Sequence, residues 1–260
     1  MFQTVAYKYE EDIVDGLMAY WTDRADGYSD VNEQELNSAK QEQWTRYILG
    51  LAPQLDRPLR VLDVGCGPGF FAISLALAGH TVTAVDITPE MLSRAETNAQ
   101  TYQANVRFIE SDATTLPFAD NQFDLIVSRN VTWNLESPAQ AYQEWHRVLA
   151  GGGRIINFDA NWYLRLSQPG LRKGYEQDRQ NVAEAGVEDQ YLHTDIRTME
   201  HLASGLPLTR QQRPQWDLQA LLDCGFKRIH IDTGAADVLW DRVEHLNNAS
   251  TPMFAIAAEK

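Results

Sequence analysis

Val61-Leu62-Asp63-Val64-Gly65-Cys66-Gly67-Pro68-Gly69 runs an apolar strand into glycines at alternate positions. Phe70-Phe71-Ala72-Ile73-Ser74-Leu75-Ala76-Leu77-Ala78-Gly79 follows as an apolar helix ending on glycine, and Thr81-Val82-Thr83-Ala84-Val85 is a second strand closing on Asp86. Strand, glycine turn, helix, strand and terminal acid make a nucleotide-binding βαβ unit. Glycines allow a tight turn and let the backbone approach a ligand closely. An acid at the tip of the second strand can accept both hydroxyls of a ribose. The glycine spacing narrows the ligand. A dinucleotide fingerprint, G-x-G-x-x-G, needs glycine at position 70, which is Phe here. The pattern is instead Gly65-x-Gly67-x-Gly69, and this argues against NAD or FAD.

With Asp63 ahead of the turn, this stretch resembles the first motif of class I S-adenosylmethionine-dependent methyltransferases. Asp86 lies 21 residues after Gly65, close to the roughly 20 expected of a ribose-binding acid. The resemblance runs on through Val106-Arg107-Phe108-Ile109-Glu110, a third strand, to Ser111-Asp112-Ala113, where the family's Asp binds the adenine amino group. Phe123-Asp124-Leu125-Ile126-Val127-Ser128 reads as the fourth strand. Ser137-Pro138 opens a helix, with Ser as N-cap and Pro at the first helical position. That helix ends at Leu149, and Gly151-Gly152-Gly153 returns the chain to a fifth strand, Arg154–Phe158. The match covers residues 60 to 160; beyond it the likeness is one of topology. It implies an α/β, Rossmann-like fold: a seven-stranded, mostly parallel sheet with an antiparallel edge hairpin, a helical N-terminal lid and an inserted helical cap.

Composition sets outer bounds. The chain has 260 residues, 44% of them apolar and 22% charged, a net charge of −14 and a pI near 4.8. That length suits one large domain or a core with a cap. An acidic surface without a basic stripe disfavours nucleic acids and anionic membranes as partners. Cys66 and Cys224 have no metal spacing and fit a reduced, cytoplasmic protein. The acidic start, Glu10-Glu11-Asp12, carries no apolar signal region. The histidines, among them His80, His146 and His230, lack i,i+4 pairing, so no metal is expected.

Residues 1–58 precede the first strand and form the expected lid. Two helices are predicted there, near 10–26 and 33–51, split at Asp26-Gly27-Tyr28-Ser29 with Gly27 as a hinge. The run Tyr20 to Ser29 resembles the "Trp…Arg-Ala…Tyr" lid of small-molecule members of the family. Residues 59–260 form the cofactor-binding domain. The cap, about 160–214, carries helical patterns at Leu171–Ala185 and Thr194–Ala203. Trp216–Cys224 is a core helix capped by Gly225, Phe226–Thr233 and Met253–Ala258 are the last strands, and 237–247 is helical.

The resemblance implies S-adenosyl-L-methionine as cofactor. It would be held by Tyr20, Trp21, Tyr28, Asp63, Gly65, Gly67, Gly69, Asp86, Ile87, Met91, Asp112, Ala113 and Asn130. Loops at the carboxyl ends of parallel strands form the ligand crevice, so Asn130 faces the methionine part of the cofactor, and Trp133 and Asn134 sit beside the sulfonium or the acceptor. Trp133 reads equally as a core aromatic, and Asn134 as a turn cap. The sulfonium is a cation that aromatic faces stabilise, and Tyr20, Trp21, Tyr28, Trp133, Trp162, Tyr163 and Tyr175 recur in the segments that should ring the site. Ordinary lid packing accounts for most of them. Asn134, Tyr175 and Trp133 are the catalytic candidates, with His193, Tyr175 and Asp159 as options for a general base. The leading expectation is a methyltransferase acting on a small molecule. One rival comes from an atypical branch related to azetidine-2-carboxylate synthases, which would cyclise the cofactor itself to the four-membered amino acid and methylthioadenosine. Such chemistry needs a closed aromatic cage and a polar contact that bends the aminocarboxypropyl chain, with Asn134 and Tyr175 as candidates. A non-catalytic S-adenosylmethionine-binding module is the second rival.

Overall fold

In the computed structural model, which describes residues 13–192 and 194–260, ten helices and seven strands are arranged around one sheet. Helices α1 (Ile13–Leu36) and α2 (Ala39–Leu51) lead into β1 (Arg60–Val64), α3 (Phe70–Leu77), β2 (Thr81–Asp86), α4 (Pro89–Thr101), β3 (Val106–Glu110) and β4 (Phe123–Arg129). Then come α5 (Pro138–Val148), β5 (Leu149–Asp159), α6 (Pro169–Ala185), α7 (Ile196–Gly205), α8 (Gln215–Asp223), β6 (Lys227–Asp232), α9 (Ala235–Leu239), α10 (Arg242–Asn248) and β7 (Phe254–Glu259). The strand order is β3-β2-β1-β4-β5-β7-β6, parallel except for β7, which pairs antiparallel with β5 and β6.

Successive strand residues face opposite sides, and both sides are covered. Val61, Leu125, Val127, Ile156 and Phe158 join Trp44, Phe70, Phe71 and Ile73 in one core layer. Leu62, Val64, Ile126 and Ile155 join Tyr142, Trp145 and Leu221 in the other. Burial on both faces explains why the central strands read as continuous apolar runs rather than alternating ones. A third cluster ties Leu17 of α1 to Trp133 and to Met199 and Ala203 of the cap. Strand order reverses between β1 and β4, and there the carboxyl ends of the strands splay to leave a crevice.

Three sequence expectations change. The N-terminal segment is not split at Gly27. Residues 13–36 form one helix, and the break falls at Asn37-Ser38, where Ser38 Oγ accepts the Lys40 N–H at 3.2 Å. A glycine costs a helix interior about 1 kcal/mol, and buried polar contacts from Ser29, Asn32 and Glu35 outweigh it. The hinge at Gly27 is therefore absent, and residues 10–12 of the predicted helix lie outside the described residues. Ser137 occupies the N-cap of α5 with Pro138 following, but its side chain makes no capping hydrogen bond. The helical stretch at 237–247 is two short helices, broken at Trp240-Asp241, where Asp241 and Glu244 form a capping box.

Candidate functional site

The crevice is a cavity of about 1030 Å³ with its open mouth included, at the switch point where doubly wound sheets bind their ligands. Four strand ends build its floor: Gly65 and Gly67 after β1, Asp86 and Ile87 at β2, Ser111, Asp112 and Ala113 after β3, and Arg129 and Asn130 at β4. Met91 of α4 lines it, as do Val14, Leu17, Met18, Trp21 and Tyr28 of α1, and the stretch Asn134-Leu135-Glu136-Ser137.

The glycine turn is held from two sides. Gly67 has φ of +50° and its N–H donates to Asp86 Oδ2 at 2.9 Å. A Cβ placed on Gly67 would meet nothing closer than Tyr28, at 3.9 Å, so this backbone faces open space. At Gly65 a Cβ would lie 2.3 Å from Val131 Cγ2, which leaves no room for a side chain. Asp63 sits behind the turn, buried, and its Oδ2 accepts the Ala72 N–H at 2.9 Å. Burial pushes its carboxyl up to about 7, against the pull of the Ala72 N–H and of Arg129. Asp86 also accepts the Thr88 N–H, at 2.9 Å through Oδ1. Burial raises its pKa, and these N–H donors draw it back. Asp112 Oδ1 accepts the Thr114 N–H at 2.7 Å and its hydroxyl at 2.8 Å. Asn130 takes a left-handed φ of +60°, and its Oδ1 accepts Trp162 Nε1–H at 3.2 Å.

Of the thirteen expected cofactor residues, Asp63, Gly69 and Tyr20 line no part of the cavity. Asp63 braces the first turn of α3, Gly69 is the N-cap of that helix at φ +95°, and Tyr20 packs edge-on against Trp21 at 5.3 Å. Among the catalytic candidates only Asn134 reaches the cavity. Its side-chain amide forms no hydrogen bond with any described residue, and its Oδ1 is buried without a partner. Trp133 is 7% exposed and lies against Tyr163 at 5.0 Å, so the core reading holds for it. Tyr175 lies away from the cavity. In the cap its ring is 4.2 Å from the Arg165 guanidinium and packs edge-on to Tyr191. Asp159 is no free base: fully buried, it accepts from Thr132 Oγ1, the Trp133 and Ala160 N–H groups and Arg213. His193 lies outside the described residues. Cys66 is a free thiol, buried, with its pKa pushed up by burial and by Asp86, which makes it inert as a nucleophile.

The sequence named Trp21 and Tyr28 of α1, but Val14, Leu17 and Met18 were missed, although they recur with Trp21 at helical period. It also missed Arg129. This guanidinium is gripped at 3.0 and 2.8 Å by Glu35 and lies over the rings of Phe70 and Trp44. Burial would lower its pKa, but the Glu35 carboxylate more than offsets this.

Residues 62–157 match the methyltransferase domain family. That segment, the strands and loops that build the crevice, is a methyltransferase domain by this match. The chain is 36% identical over 115 residues to the demethylmenaquinone methyltransferase of Thermus thermophilus, across 44% of this chain and 52% of that one. The malonyl-[acyl-carrier protein] O-methyltransferase of Erwinia pyrifoliae is 39% identical over 98 residues, 38% of this chain and 36% of that protein. The chain thus spans about half or less of the length of these curated relatives. A crystallised S-adenosylmethionine-dependent methyltransferase of Mesorhizobium loti superposes with a TM-score of 0.57 at 20% identity, over 86% of this chain and all of that one, a likeness of fold. The family's cofactor is S-adenosyl-L-methionine, and the cavity fits it. Bare backbone at Gly67 leaves room for a nucleoside, and a carboxylate at the tip of β2 and a second one after β3 are acceptors suited to its hydroxyl and amino groups. Among the described residues no helix is long and apolar enough to cross a membrane.

Proposed function

We propose that this chain transfers a methyl group from S-adenosylmethionine to a small-molecule acceptor. The observation that carries the reading is the convergence of Gly65, Gly67, Asp86 and Asp112 on one cavity at the switch point of the sheet. When bound, the cofactor supplies an electrophilic methyl group, and the protein's share of the work is positioning and exclusion of water. Asp86 has lone pairs left after its two backbone contacts and accepts the ribose hydroxyls. Asp112 Oδ2, unpartnered among the described residues, accepts the adenine amino group, with Ile87, Met91 and Ala113 around the ring. Asn130 orients the methionine end. Helix α1 serves as the lid, covering the site with Trp21 and Tyr28. Asn134 holds the acceptor.

Two findings support methyl transfer over cyclisation of the cofactor. Only Trp21 and Tyr28 of the seven candidate aromatics line the cavity, so the described residues form no closed cage, and Tyr175, which packs on Tyr191, is not among the lining residues that could bend the aminocarboxypropyl chain. Incubation of pure protein with S-adenosylmethionine, alone and with a metabolite extract, tests the proposal. S-adenosylhomocysteine formed only with the extract is the expected result. Methylthioadenosine formed from the cofactor alone would establish cyclisation instead, and cofactor binding without any product would make the chain a binding module.

A further inference from the structure

Beyond the groups that suit the nucleoside, the cavity is walled by two segments of opposite character. Helix α1 contributes Val14, Leu17, Met18 and Trp21, spaced i, i+3, i+4 and i+7, which is one stripe of the helix. The β4–α5 loop contributes Asn134, Glu136 and Ser137. These three side chains are free of intramolecular bonds: the Asn134 amide and the Ser137 hydroxyl form no hydrogen bond with a described residue, and Glu136 has no ion-pair partner among them.

The charges in the lining are equally one-sided. Asp86, Asp112 and Glu136 are carboxylates. Arg129 is the one cation among the described lining residues, and Glu35 already claims it through both guanidinium nitrogens. Glu136 also precedes the N-terminus of α5, where an acid complements the helix dipole and takes the place an anion would seek. An anionic ligand entering here would shed water beside like charges and find no free protein cation among the described lining residues. The net charge of −14 opposes its approach from a distance as well.

We propose that the acceptor bears no negative charge. It is an amphipathic amine or alcohol whose polar end meets Asn134 and Ser137 beside Glu136, and whose apolar body lies against the α1 stripe. The inference rests on the methyl-transfer reading and sharpens it, because it sets this site apart from those built for carboxylate or phosphate acceptors.

The test uses the full chain saturated with S-adenosylhomocysteine, whose own binding is first measured by calorimetry. Three probes sharing a phenyl body, phenethylamine, 2-phenylethanol and 3-phenylpropanoate, are then titrated by saturation-transfer NMR. The amine and the alcohol should bind at least about tenfold more tightly than the carboxylate, a difference of roughly 1.4 kcal/mol. Glu136→Lys should narrow that gap by favouring the carboxylate. A carboxylate that binds the wild type as tightly as the amine overturns the inference, and so does an S-adenosylhomocysteine complex that takes up none of the three. Failure of S-adenosylhomocysteine itself to bind would overturn the methyl-transfer reading instead.

Discussion

Asp86 is already engaged by two backbone N–H groups, so it shapes the turn as well as presenting lone pairs to a ligand. Asp86→Ala should remove contacts of roughly 1.5–3 kcal/mol and weaken S-adenosylmethionine binding by one to two decades. Calorimetry on folded variant reads this directly, and unchanged affinity would displace Asp86 from the ribose site. Asn134 and Tyr175 were equal candidates by sequence, and the structure separates them. Asn134→Ala should lower single-turnover rates more than cofactor affinity, because its contact matters in the transition state. Tyr175→Phe should leave the rate per folded molecule unchanged, since Tyr175 packs against Arg165 in the cap. Asp63 yields a pH prediction. Its folded-state pKa is raised to about 7 by burial, so the folded chain holds a proton that the unfolded chain releases near pH 4. Its contribution favours folding below that pH and is lost as pH rises towards 7, at up to about 1.4 kcal/mol per unit. Melting curves between pH 5 and 8 should be flatter for Asp63→Asn than for the wild type, and identical slopes would refute the assignment.

Helix α1 works in two halves. From Ser29 to Glu35 it is tied by polar bonds: Asn98 Nδ2 donates to Ser29 Oγ at 3.1 Å, the Phe70 N–H donates to Asn32 Oδ1 at 3.2 Å, and Arg129 donates to Glu35. Its first turns instead meet the cap through close apolar contact, where a Cβ on Gly16 would lie 2.7 Å from Leu202 and one on Gly205 would lie 2.8 Å from Ile13. Opening should therefore begin at residues 13–21, with 28–36 staying protected. Hydrogen exchange over 13–21 should be the faster of the two without ligand and should slow when S-adenosylmethionine binds. Uniform exchange along α1, unaffected by ligand, would refute the lid. The elements of the sheet were legible because each has a local signal: apolar runs for β1 to β5, glycines at Gly65 and Gly67, and a terminal acid at Asp86. The course of α1 through Gly27 was not legible. It depends on partners such as Asn98 and Arg129, which lie 69 and 94 residues from Ser29 and Glu35, and no local propensity records them.

At the scale of the whole molecule, one buried arginine joins the cap to the β4–α5 loop. Arg213, 1% exposed at the end of the cap, donates to Asp159 Oδ2 at 2.6 Å, to Thr132 Oγ1 at 2.6 Å and to both oxygens of Asp217 at 2.6 and 2.8 Å. Burial would depress its pKa, and the two carboxylates raise it well above the ordinary value instead. Tyr142 and Asn157 complete the network, with the Tyr142 hydroxyl donating to Asp217 at 2.7 Å and Asn157 Nδ2 donating to Thr132 and Tyr142. Its members are scattered over 86 positions, which is why Asp159 looked like a free base in the sequence. Thr132 and Trp133 are pinned by this network, so the adjacent Asn134 inherits its position from the cap. Arg213→Met would leave Asp159 and Asp217 buried without a counter-charge, a loss of about 3–5 kcal/mol that should lower the melting temperature by about 10 °C. Arg213→Lys keeps the charge but not the fork that spans both carboxylates, so it should fold better than the Met variant while still misplacing the loop. For the Lys variant, single-turnover rates should fall while cofactor affinity, which the proposed function assigns to Asp86 and Asp112 on other strands, stays near wild type. Equal losses in affinity and rate would mean that the network sustains the fold alone and leaves Asn134 to other supports.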